Sequence, residues 1–593
     1  MPRANAAGVT TALSARAIPL DQPFVLLDDA RPGGTALLLT GAREILEARE
    51  AAQVRPALRR LRQAERAAGF IGYEVGLALE ARLAPLMRAS DAAAPPLLWF
   101  GLFDSEEAVD AAAILPDPTG AWAGEARPLI DRVAYGEALA RLHEHILAGD
   151  IYQANYTFPA QVPVAGHPLA LYAAIRQRAR AGHGGIVFTG EHWILSFSPE
   201  LFFRLEGGRV TTRPMKGTAT RGGDPAQDAA KVAELASDPK QRAENLMIVD
   251  LLRNDLSRVA RPGTVKVPEL FKVETYPTVH QLVSAVTGEL HEGRGTVDVI
   301  EALFPCGSIT GAPKIRAMEI IADTEVAPRG IYCGAIGRIG SGGASFNVAI
   351  RTLAMRSGDQ TARLGLGSGI VADSRAADEW AECLAKGAFV ATERRFELIE
   401  TMRHDAREGV VDLDRHLNRL KASAAALGYG FDRHHARNEL QAASFGAGDA
   451  KVRLMLARSG AMAVEVRPLG PVPPEPVPVA LMPLPVSPHD FRLRYKTSDR
   501  AFYHEALAAA GTFEIAFTDP EGFLTEGSYT NLFVERGAGL LTPPATRGLL
   551  PGLLRQRLIE EGRAREADLR PEDLAGGFLI GNSVRGLIRA RLT

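Results

Sequence analysis

Two periodicities of apolar and polar residues alternate along the chain. Near residues 42–69 an arginine- and alanine-rich stretch indicates a helix. Residues 131–150 place apolar side chains at helical spacing and end at a Gly-Asp pair, which predicts a helix that stops there. Residues 151–164 alternate in the manner of a strand, and residues 192–218 indicate three strands separated by turns. Residues 238–259 return to helical spacing, with an apolar stripe of Leu246, Val249, Leu252 and Leu256.

The later residues repeat this mixture and divide the chain. Residues 334–374 carry strand patterns and residues 375–390 a helical one. The pattern breaks near 388–396 and restarts with a strand, a turn and a helix. Proline-rich residues 469–488 predict a linker between two lobes. We therefore expect an α+β chain with an N-terminal segment at 1–130, a domain at 131–390 and a further domain at 396–593.

Composition narrows the class of protein. The chain has 593 residues and a net charge of −2, so nucleic acid and anionic membranes are not expected as partners. No apolar run reaches the ~20 residues that span a bilayer, and the N-terminus lacks a signal-peptide pattern. Cys306, Cys333 and Cys383 lie far apart, which argues against disulfides and a structural zinc site. A cytoplasmic enzyme is expected.

Lysine is scarce among the basic residues. Only ten of the 68 are lysine, and the rest are arginine. Arginine cannot usefully lose its proton, whereas lysine can become a neutral amine. A lysine here is therefore a candidate for amine chemistry. One such lysine, Lys216, lies in "RPMKGTATRG" between Arg213 and Arg221, and it is either a surface cation or a nucleophile.

Carboxylates in the same half suggest partners for this lysine. Glu200, in "SFSPELFF", precedes Lys216 by sixteen residues. Successive strands could bring the two together as general acid and nucleophile, or as a cross-strand salt bridge. Glu379 and Glu382 share one helix face, and with Glu244 on an earlier helix they are either Mg²⁺ ligands or solvated carboxylates. Glycine-rich loops at 304–314 and 365–374 could bind a carboxylate or a phosphate through their backbone N–H groups.

The C-terminal half contains a second pair of this kind. Lys496 lies in "RLRYKTSDR", and Glu526 lies thirty residues later in "LTEGSYTNLF". A lysine that forms an aldimine needs a cofactor with an electron sink, and the pyridine nitrogen of such a cofactor needs an acidic partner to stay protonated. Lys496 and Glu526 could supply both groups. The alternative is a lysine on a strand edge.

Motifs of the first half, taken in order, resemble the chorismate-utilising enzymes, which include anthranilate, aminodeoxychorismate, isochorismate and salicylate synthases. The resemblance covers about residues 130–387, and "GFIGYEVG" at 69–76 resembles part of the family's variable lead segment. It implies a fold of β-sheets packed with outer helices. The matching stretches are "GDIYQANYT", "SPELF", "RPMKGTATRG", "ENLMIVDLLRNDL", "YPTVHQLVS", "FPCGSITGAPK", "YCGAIG" and "GSGIVADSRAADEWAECLAK".

This resemblance implies catalytic and metal-binding roles. Glu200 corresponds to the general acid that assists loss of the ring hydroxyl. His280 corresponds to the histidine beside the ring. Glu244, Glu379 and Glu382 correspond to the Mg²⁺ shell that holds one chorismate carboxylate.

The resemblance also implies substrate contacts. Tyr332 and Arg351 match positions that hold the other carboxylate, together with the backbone around Gly367 and Gly369. Thr310 is expected to be a polar contact.

Gln153 and Lys216 distinguish the family members. Enzymes that add water have a lysine base where this chain has Gln153, and anthranilate synthases usually have alanine where it has Lys216. A lysine there resembles aminodeoxychorismate synthases, in which the amine attacks C2 of chorismate and ammonia then adds at C4. This requires a neutral amine, which we expect Arg213 and Mg²⁺ to favour. No Gly-x-Cys-x-Gly turn is present, so ammonia is expected from a separate glutamine amidotransferase subunit or from free ammonium.

Residues 396–593 resemble the two-lobed fold-type IV pyridoxal 5'-phosphate enzymes, which are commonly dimers and include branched-chain and D-amino-acid aminotransferases and aminodeoxychorismate lyase. The matching stretches are "FELIETMR", "LDRHLNRLKASAAALG", "YKTSDR", "TEGSYTNLF", "LLPGLLRQRL" and "FLIGNSVRGL". Lys496 would bind the cofactor covalently, and Glu526 would pair with the pyridine nitrogen. The implied phosphate ligands are Arg419 and backbone groups of Leu553, Leu554, Asn582 and Ser583.

The C-terminal half departs from the family pattern at two points, and its motifs leave the choice between lyase and aminotransferase open. The family usually has threonine where Leu554 stands, and its opening strand before "FE" is absent here or supplied by the linker. Motifs separate lyase from aminotransferase poorly. The fusion favours a lyase, because aminodeoxychorismate synthesis followed by elimination of pyruvate gives 4-aminobenzoate, a folate precursor. The alternatives are an anthranilate-synthase-like half joined to an aminotransferase, or a non-catalytic chorismate-binding protein.

Overall fold

A computed structural model describes residues 18–89, 91–275, 279–537 and 539–593. These residues form two compact units. The first unit comprises the described residues up to Pro116, Glu125–Val162 and Ile175–Val390, and the second comprises Asp117–Gly124, Pro163–Ala174 and Ala391–Thr593. The prediction of no signal peptide concerns residues 1–17, which lie outside the described part. Within the described part, no helix is long and apolar enough to cross a membrane.

Strands dominate the N-terminal part of the chain, and all of them except Trp122–Ala123 lie wholly or partly in the first unit. The strands before residue 375 are β1 Phe24–Asp28, β2 Ala36–Ala48, β3 Ala67–Ile71, β4 Leu98–Val109, β5 Trp122–Ala123, β6 Arg127–Pro128, β7 Gln153–Ala165, β8 His183–Phe188, β9 His192–Ser198, β10 Leu201–Glu206, β11 Arg209–Thr212, β12 Met215–Thr220, β13 Lys266–Thr275, β14 Val279–Glu289, β15 Gly311–Ala312, β16 Ala335–Gly340, β17 Gly343–Val348, β18 Thr352–Arg356 and β19 Thr361–Ile370.

The strands of the N-terminal segment pair with strands from later in the chain and belong to the same sheet. Antiparallel pairs connect β13-β14-β11-β10-β17-β16-β3-β4-β2-β1-β8-β9-β18-β19, and β19 then pairs with β7. Strands β1 to β4 of the N-terminal segment thus lie in the middle of this sequence. β12 also pairs with β14, and this pairing positions Lys216.

Helices accompany these strands. The α-helices before residue 390 are α1 Ala51–Leu61, α2 Val75–Leu79, α3 Ala111–Ile114, α4 Arg132–Leu147, α5 Pro168–Ala179, α6 Pro225–Ser237, α7 Pro239–Ser257, α8 Thr296–Leu303, α9 Lys314–Thr324 and α10 Ala376–Gly387. The short 3-10 helices of the same region are Ala84–Leu86, Pro118–Gly120, Gly307–Ile309 and Ala388–Val390.

Three helix predictions can be compared with the structure. The helix expected at 131–150 is confirmed as α4, capped by the Asp131 side chain and ended at Gly149, whose φ is +77°. The stretch at 42–69 was assigned too broadly, since only α1 is helical and β2 and β3 occupy its ends. Leu246 is 43% exposed, so its place in the apolar stripe of α7 was wrong. The buried face passes through Asn245 instead, which precedes Ile248, Val249, Leu252 and Leu256 at helical spacing.

The second unit contains two further sheets. A four-stranded antiparallel sheet has the order β21-β20-β22-β23, and a seven-stranded mixed sheet has the order β25-β24-β30-β29-β26-β27-β28. The strands are β20 Leu398–Asp405, β21 Gly409–Val410, β22 Ala450–Leu456, β23 Met462–Pro468, β24 Val477–Pro483, β25 Glu514–Thr518, β26 Asn531–Arg536, β27 Gly539–Thr542, β28 Ala564–Glu566, β29 Phe578–Asn582 and β30 Gly586–Leu592. The α-helices are α11 Leu413–Leu427, α12 Arg433–Ser444, α13 Phe491–Arg494, α14 Ala501–Ala510 and α15 Leu553–Glu560, and the 3-10 helices are Ala545–Arg547 and Pro571–Leu574.

The linker predicted at 469–488 was wrong for its central part. β24 lies inside this range and pairs in parallel with both β25 and β30. Val477 and Val479 are buried, because the alternation of this stretch places them on the face that packs into the core. The prolines mark the ends of a sheet strand rather than a free connection.

Two candidate active sites

Lys216 lies where three elements of the first unit meet. Its Nζ is 3.5 Å from Oε2 of Glu244 on α7. A Cβ atom added at Gly369 on β19 would lie 2.8 Å from this Nζ and 3.0 Å from Nε2 of Gln153. Any side chain at position 369 would therefore displace the amine, so the glycine keeps this space open.

Glu200 provides an acid beside this amine. The residue precedes β10, is 5% exposed, and accepts a hydrogen bond of 2.7 Å at Oε1 from Oγ of Ser308. Burial raises its pKa to about 7, although Ser308 and the charge of Lys216 act in the opposite direction. Glu200 is therefore partly protonated near neutral pH. Ser308 was missed from the sequence, although it lies in the glycine-rich loop at 304–314.

Gln153 is fully buried at the same place. Neither its amide nitrogen nor its amide oxygen has a hydrogen-bond partner among the described residues. A buried amide without a partner is costly, so its donor and acceptor are available to a bound molecule. The position that distinguishes family members thus lies directly beside Lys216.

The predicted metal ligands are only partly brought together. Hydrogen bonding to Asp373, and then the charges of Glu244 and Glu379, raise the pKa of Lys240, so these two glutamates lie near one cation. Glu382 instead is 53% exposed at its side chain and pairs with a lysine of its own helix at 2.6 Å. No three His, Cys, Asp or Glu side chains of the described ranges are grouped as a metal site. Two carboxylates still suit Mg²⁺, which takes its other ligands from water and substrate.

His280 and Thr310 are held by their own neighbours. Nε2 of His280 lies 2.8 Å from Asp228, and Nδ1 lies 2.9 Å from Thr275. Hydrogen bonding to Arg221 holds the pKa of Asp228 far below its ordinary range. The hydroxyl of Thr310 donates to carbonyl groups in its own turn. The structure therefore shows fixed positions for both residues, and within the described ranges neither forms a hydrogen bond with Lys216.

Arg351 is suited to bind an anion. Its backbone has a φ of +50°, its side chain is half-buried, and it forms no ion pair with a described carboxylate. Burial lowers its pKa. The ring of Tyr332 packs so closely on Gly365 that a Cβ there would lie 2.0 Å from it. Burial also raises the pKa of Tyr332, which keeps its phenol neutral.

Arg213 forms ion pairs with carboxylates of its own neighbourhood. Its guanidinium group pairs with Glu274 and, at 3.4 Å, with Glu269. These carboxylates compensate its charge. Both acceptors lie on β13, more than fifty residues away in the chain, and the effect of Arg213 on Lys216 stays a prediction.

The second unit encloses a cavity of about 580 Å³. Of the residues predicted for the cofactor, the cavity brings together Lys496, Arg419, Glu526, Leu553, Asn582 and Ser583. Leu554 differs, because its side chain packs in an apolar cluster with Phe533 and Leu558. Leu554 could therefore bind a ligand only through a hydrogen bond from its backbone N–H.

Lys496 and Glu526 have perturbed acidities in this cavity. Burial, assisted by the positive charge of Arg419, lowers the pKa of Lys496 to about 7. Burial raises the pKa of Glu526 to about 8. The Glu526 carboxyl accepts hydrogen bonds from the Tyr503 hydroxyl and, at 3.0 Å, from the Leu550 N–H. A lysine that is partly neutral near pH 7 is suited to form a covalent bond with an aldehyde.

An anion cradle lies at the start of α15. Gly552 precedes this helix and supplies no side-chain cap, so the first N–H groups are open to an acceptor. Arg419 donates to both oxygens of Glu400 at 2.8 and 2.7 Å and to the Pro551 carbonyl. His416 also contacts Glu400, at 2.7 Å. These groups fit a cofactor phosphate, and Glu400, in "FELIETMR", was missed from the sequence.

Comparison with known proteins assigns both halves. Residues 27–392 match the family described as chorismate binding enzyme, and residues 397–592 match amino-transferase class IV. The chain is 44% identical over 269 residues to aminodeoxychorismate synthase component 1 of Klebsiella aerogenes, covering 45% of this chain and 58% of that protein. It is 42% identical over 266 residues to anthranilate synthase component 1 of Streptomyces coelicolor, covering 44% and 52%. The chain thus spans about half the length of these curated relatives.

A solved structure supports the fold. Anthranilate synthase component I of Streptococcus pneumoniae matches with a TM-score of 0.52 at 24% identity, covering 65% of this chain and 95% of that one. The predicted α+β fold class and the resemblance to two families are confirmed. The chain belongs to the chorismate binding enzyme family and carries an amino-transferase class IV domain in its C-terminal part.

Proposed function

We propose that this chain makes 4-aminobenzoate in two steps. The first unit converts chorismate and ammonia to 4-amino-4-deoxychorismate, and the second eliminates pyruvate from that product. The observation that carries the proposal is the amine of Lys216, placed 3.5 Å from Glu244 and close to the buried Glu200. Relatives named aminodeoxychorismate synthase component 1 give independent support.

The first step uses Glu200 and Lys216 in complementary roles. Protonated Glu200 donates to the C4 hydroxyl of chorismate, which leaves as water while the neutral Lys216 amine forms a bond to C2 and both ring double bonds shift, from C1=C2 and C5=C6 to C1=C6 and C4=C5. Ammonia then adds at C4, both double bonds return to C1=C2 and C5=C6, and the bond between C2 and nitrogen breaks to release Lys216. Arg351 would hold a substrate carboxylate. His280, Tyr332 and Thr310 would shape the pocket.

Mg²⁺ and ammonia are the further requirements of this step. Glu244 and Glu379 would hold Mg²⁺, whose charge would bind a chorismate carboxylate. Ammonia would come from a separate glutamine amidotransferase. The thiols of Cys306, Cys333 and Cys383 are buried, and burial raises the pKa of the first two to about 12, so none suits a glutaminase nucleophile.

The second step would need pyridoxal 5'-phosphate, which supplies an electron sink when bound. Lys496 would hold the cofactor and afterwards carry the proton removed from C4. Glu526 would pair with the pyridine nitrogen. Arg419 and the start of α15 would bind the phosphate, together with the turn at Asn582 and Ser583. A homodimer formed through this unit is part of the proposal.

A product assay tests the proposal. The full chain is incubated with chorismate, Mg²⁺ and ammonium, with and without pyridoxal 5'-phosphate. We expect 4-aminobenzoate only when the cofactor is present, whereas 2-aminobenzoate or no turnover would contradict the proposal. Lys216→Ala should abolish the first step and the covalent adduct seen by mass spectrometry. Lys266→Ala is the matched control, because Lys266 is an exposed lysine of the same unit.

A further inference from the structure

The cavity of the second unit has a strong excess of positive charge. Seven lysine and arginine side chains line it, and Glu526 is the one carboxylate among the described lining residues. The cations are Arg419, Lys451, Arg453, Arg467, Lys496, Arg500 and Arg585. A cofactor phosphate accounts for Arg419 alone. The remaining charge therefore calls for further anionic groups on the bound molecule.

Two of these cations, Arg453 and Arg500, are half-buried and lack carboxylate partners among the described residues. Arg453 lies on β22 and Arg500 lies at the start of α14, so they reach the cavity from different elements. Nε of Arg453 and Nη1 of Arg500 have no hydrogen-bond partner among the described residues. Neither guanidinium group forms an ion pair with a described carboxylate. By contrast, Arg467 is compensated by Glu465 at 2.7 Å.

Both arginines lie close enough to Lys496 for their positive charges to lower its pKa. Burial is the main cause of its lowered pKa, and the charges of Arg419, Arg500 and Arg453 act in the same direction. Arg500 is itself held in place, since its Nη2 donates to the Ser528 carbonyl at 3.1 Å and its guanidinium group lies 4.3 Å from the Tyr503 ring centre. Two guanidinium groups without carboxylate partners thus lie near the lysine that would react with the substrate amine, and Arg500 is held in place by its own contacts.

We propose that Arg453 and Arg500 each bind one carboxylate of an amine substrate, so that the second unit selects dicarboxylates. Guanidinium groups bind carboxylates through paired hydrogen bonds, and a substrate with one carboxylate and an apolar side chain would leave one half-buried guanidinium without a carboxylate partner. The inference rests on the proposed function, because 4-amino-4-deoxychorismate carries a ring carboxylate and an enolpyruvyl carboxylate. Arg453 and Arg500 would therefore determine which substrates the second unit accepts.

Calorimetric titration of the full-length holoprotein tests this directly. Glutarate and pentanoate serve as probes, because they have the same chain length and differ by one carboxylate. We expect glutarate to bind at least tenfold more tightly. Arg453→Gln and Arg500→Gln should each weaken glutarate binding about tenfold to a hundredfold and leave pentanoate binding within about twofold. Arg585→Gln is the matched control, an exposed arginine of the same cavity.

Steady-state kinetics with 4-amino-4-deoxychorismate distinguish a failure of the dicarboxylate assignment from a failure of the proposed function. Arg453→Gln should raise KM with little change in kcat, and Arg453→Lys should restore part of the loss. If both probes bind equally, or if the arginine variants match Arg585→Gln, the dicarboxylate assignment is wrong even when 4-aminobenzoate forms. If the glutarate preference holds and depends on both arginines but no 4-aminobenzoate forms, the assigned reaction is wrong and the dicarboxylate site stands.

Discussion

Glu200 offers the sharpest test of the first site, because its acidity depends on burial and on one hydrogen bond. Its ordinary pKa of 4.5 is raised to about 7. At pH 7 such a group is about half protonated, whereas an ordinary glutamate would be protonated only about 0.3% of the time. Burial therefore increases the acid form about 150-fold, which corresponds to about 3 kcal/mol.

Two substitutions change this acidity in known directions. Glu200→Gln removes the proton donor and should lower kcat/KM of the first step about 10²- to 10⁴-fold. Ser308→Ala removes the hydroxyl that donates at 2.7 Å and favours the carboxylate, so the pKa of Glu200 should rise further. In the wild-type enzyme, kcat/KM should fall as the pH rises through about 7. In Ser308→Ala this fall should move to higher pH.

The assay is a pH series of kcat/KM for aminodeoxychorismate formation, measured with saturating ammonium. Because the folded-state pKa of this carboxyl is raised, the folded state also loses up to about 3 kcal/mol of stability as the pH rises from 4.5 to about 7. Glu200→Gln should remove that part of the pH dependence of the thermal midpoint. The reasoning is refuted if Glu200→Gln keeps wild-type activity, or if Ser308→Ala leaves the pH profile unchanged.

Three further predictions concern single elements of the two sites. Gly369→Ala should lower the first activity at least tenfold, because its Cβ would lie 2.8 Å from Nζ of Lys216, whereas Gly342→Ala meets no atom within 4 Å and should behave as wild type in the same rate assay. Lys496→Ala should abolish the second step and the visible absorbance of the bound cofactor while the first step proceeds, and loss of both steps would contradict the assignment. Glu400→Gln should weaken cofactor binding about tenfold in an equilibrium titration, because the guanidinium group beside the cradle loses a charged partner; unchanged affinity would show that the ion pair does not position the phosphate.

Much of the candidate chemistry could be predicted from sequence. Periodicity predicted α4 and many of the strands, because those segments bury one face in regular alternation. The scarcity of lysine drew attention to Lys216 and Lys496, and both lie beside buried carboxylic acids or arginines in the structure. Glu200 and Glu526 were also identified from local motifs. These residues were accessible because their motifs are short and continuous.

The tertiary structure decided which groups act on those residues. Ser308 reaches Glu200 across 108 positions of sequence, and Glu400 reaches Arg419 from a different element, so no local pattern could pair them. Leu554 turns into the core because the helix α15 buries that face.

The sequence by itself determined many of the elements, the candidate reactive side chains and the two families, since these depend on residue type and local order. Only the tertiary structure decided the acidity of Glu200 and Lys496, the diversion of Arg213 to β13, and the unpaired state of Arg453 and Arg500. The physical reason is that burial and charge compensation depend on neighbours brought together by folding.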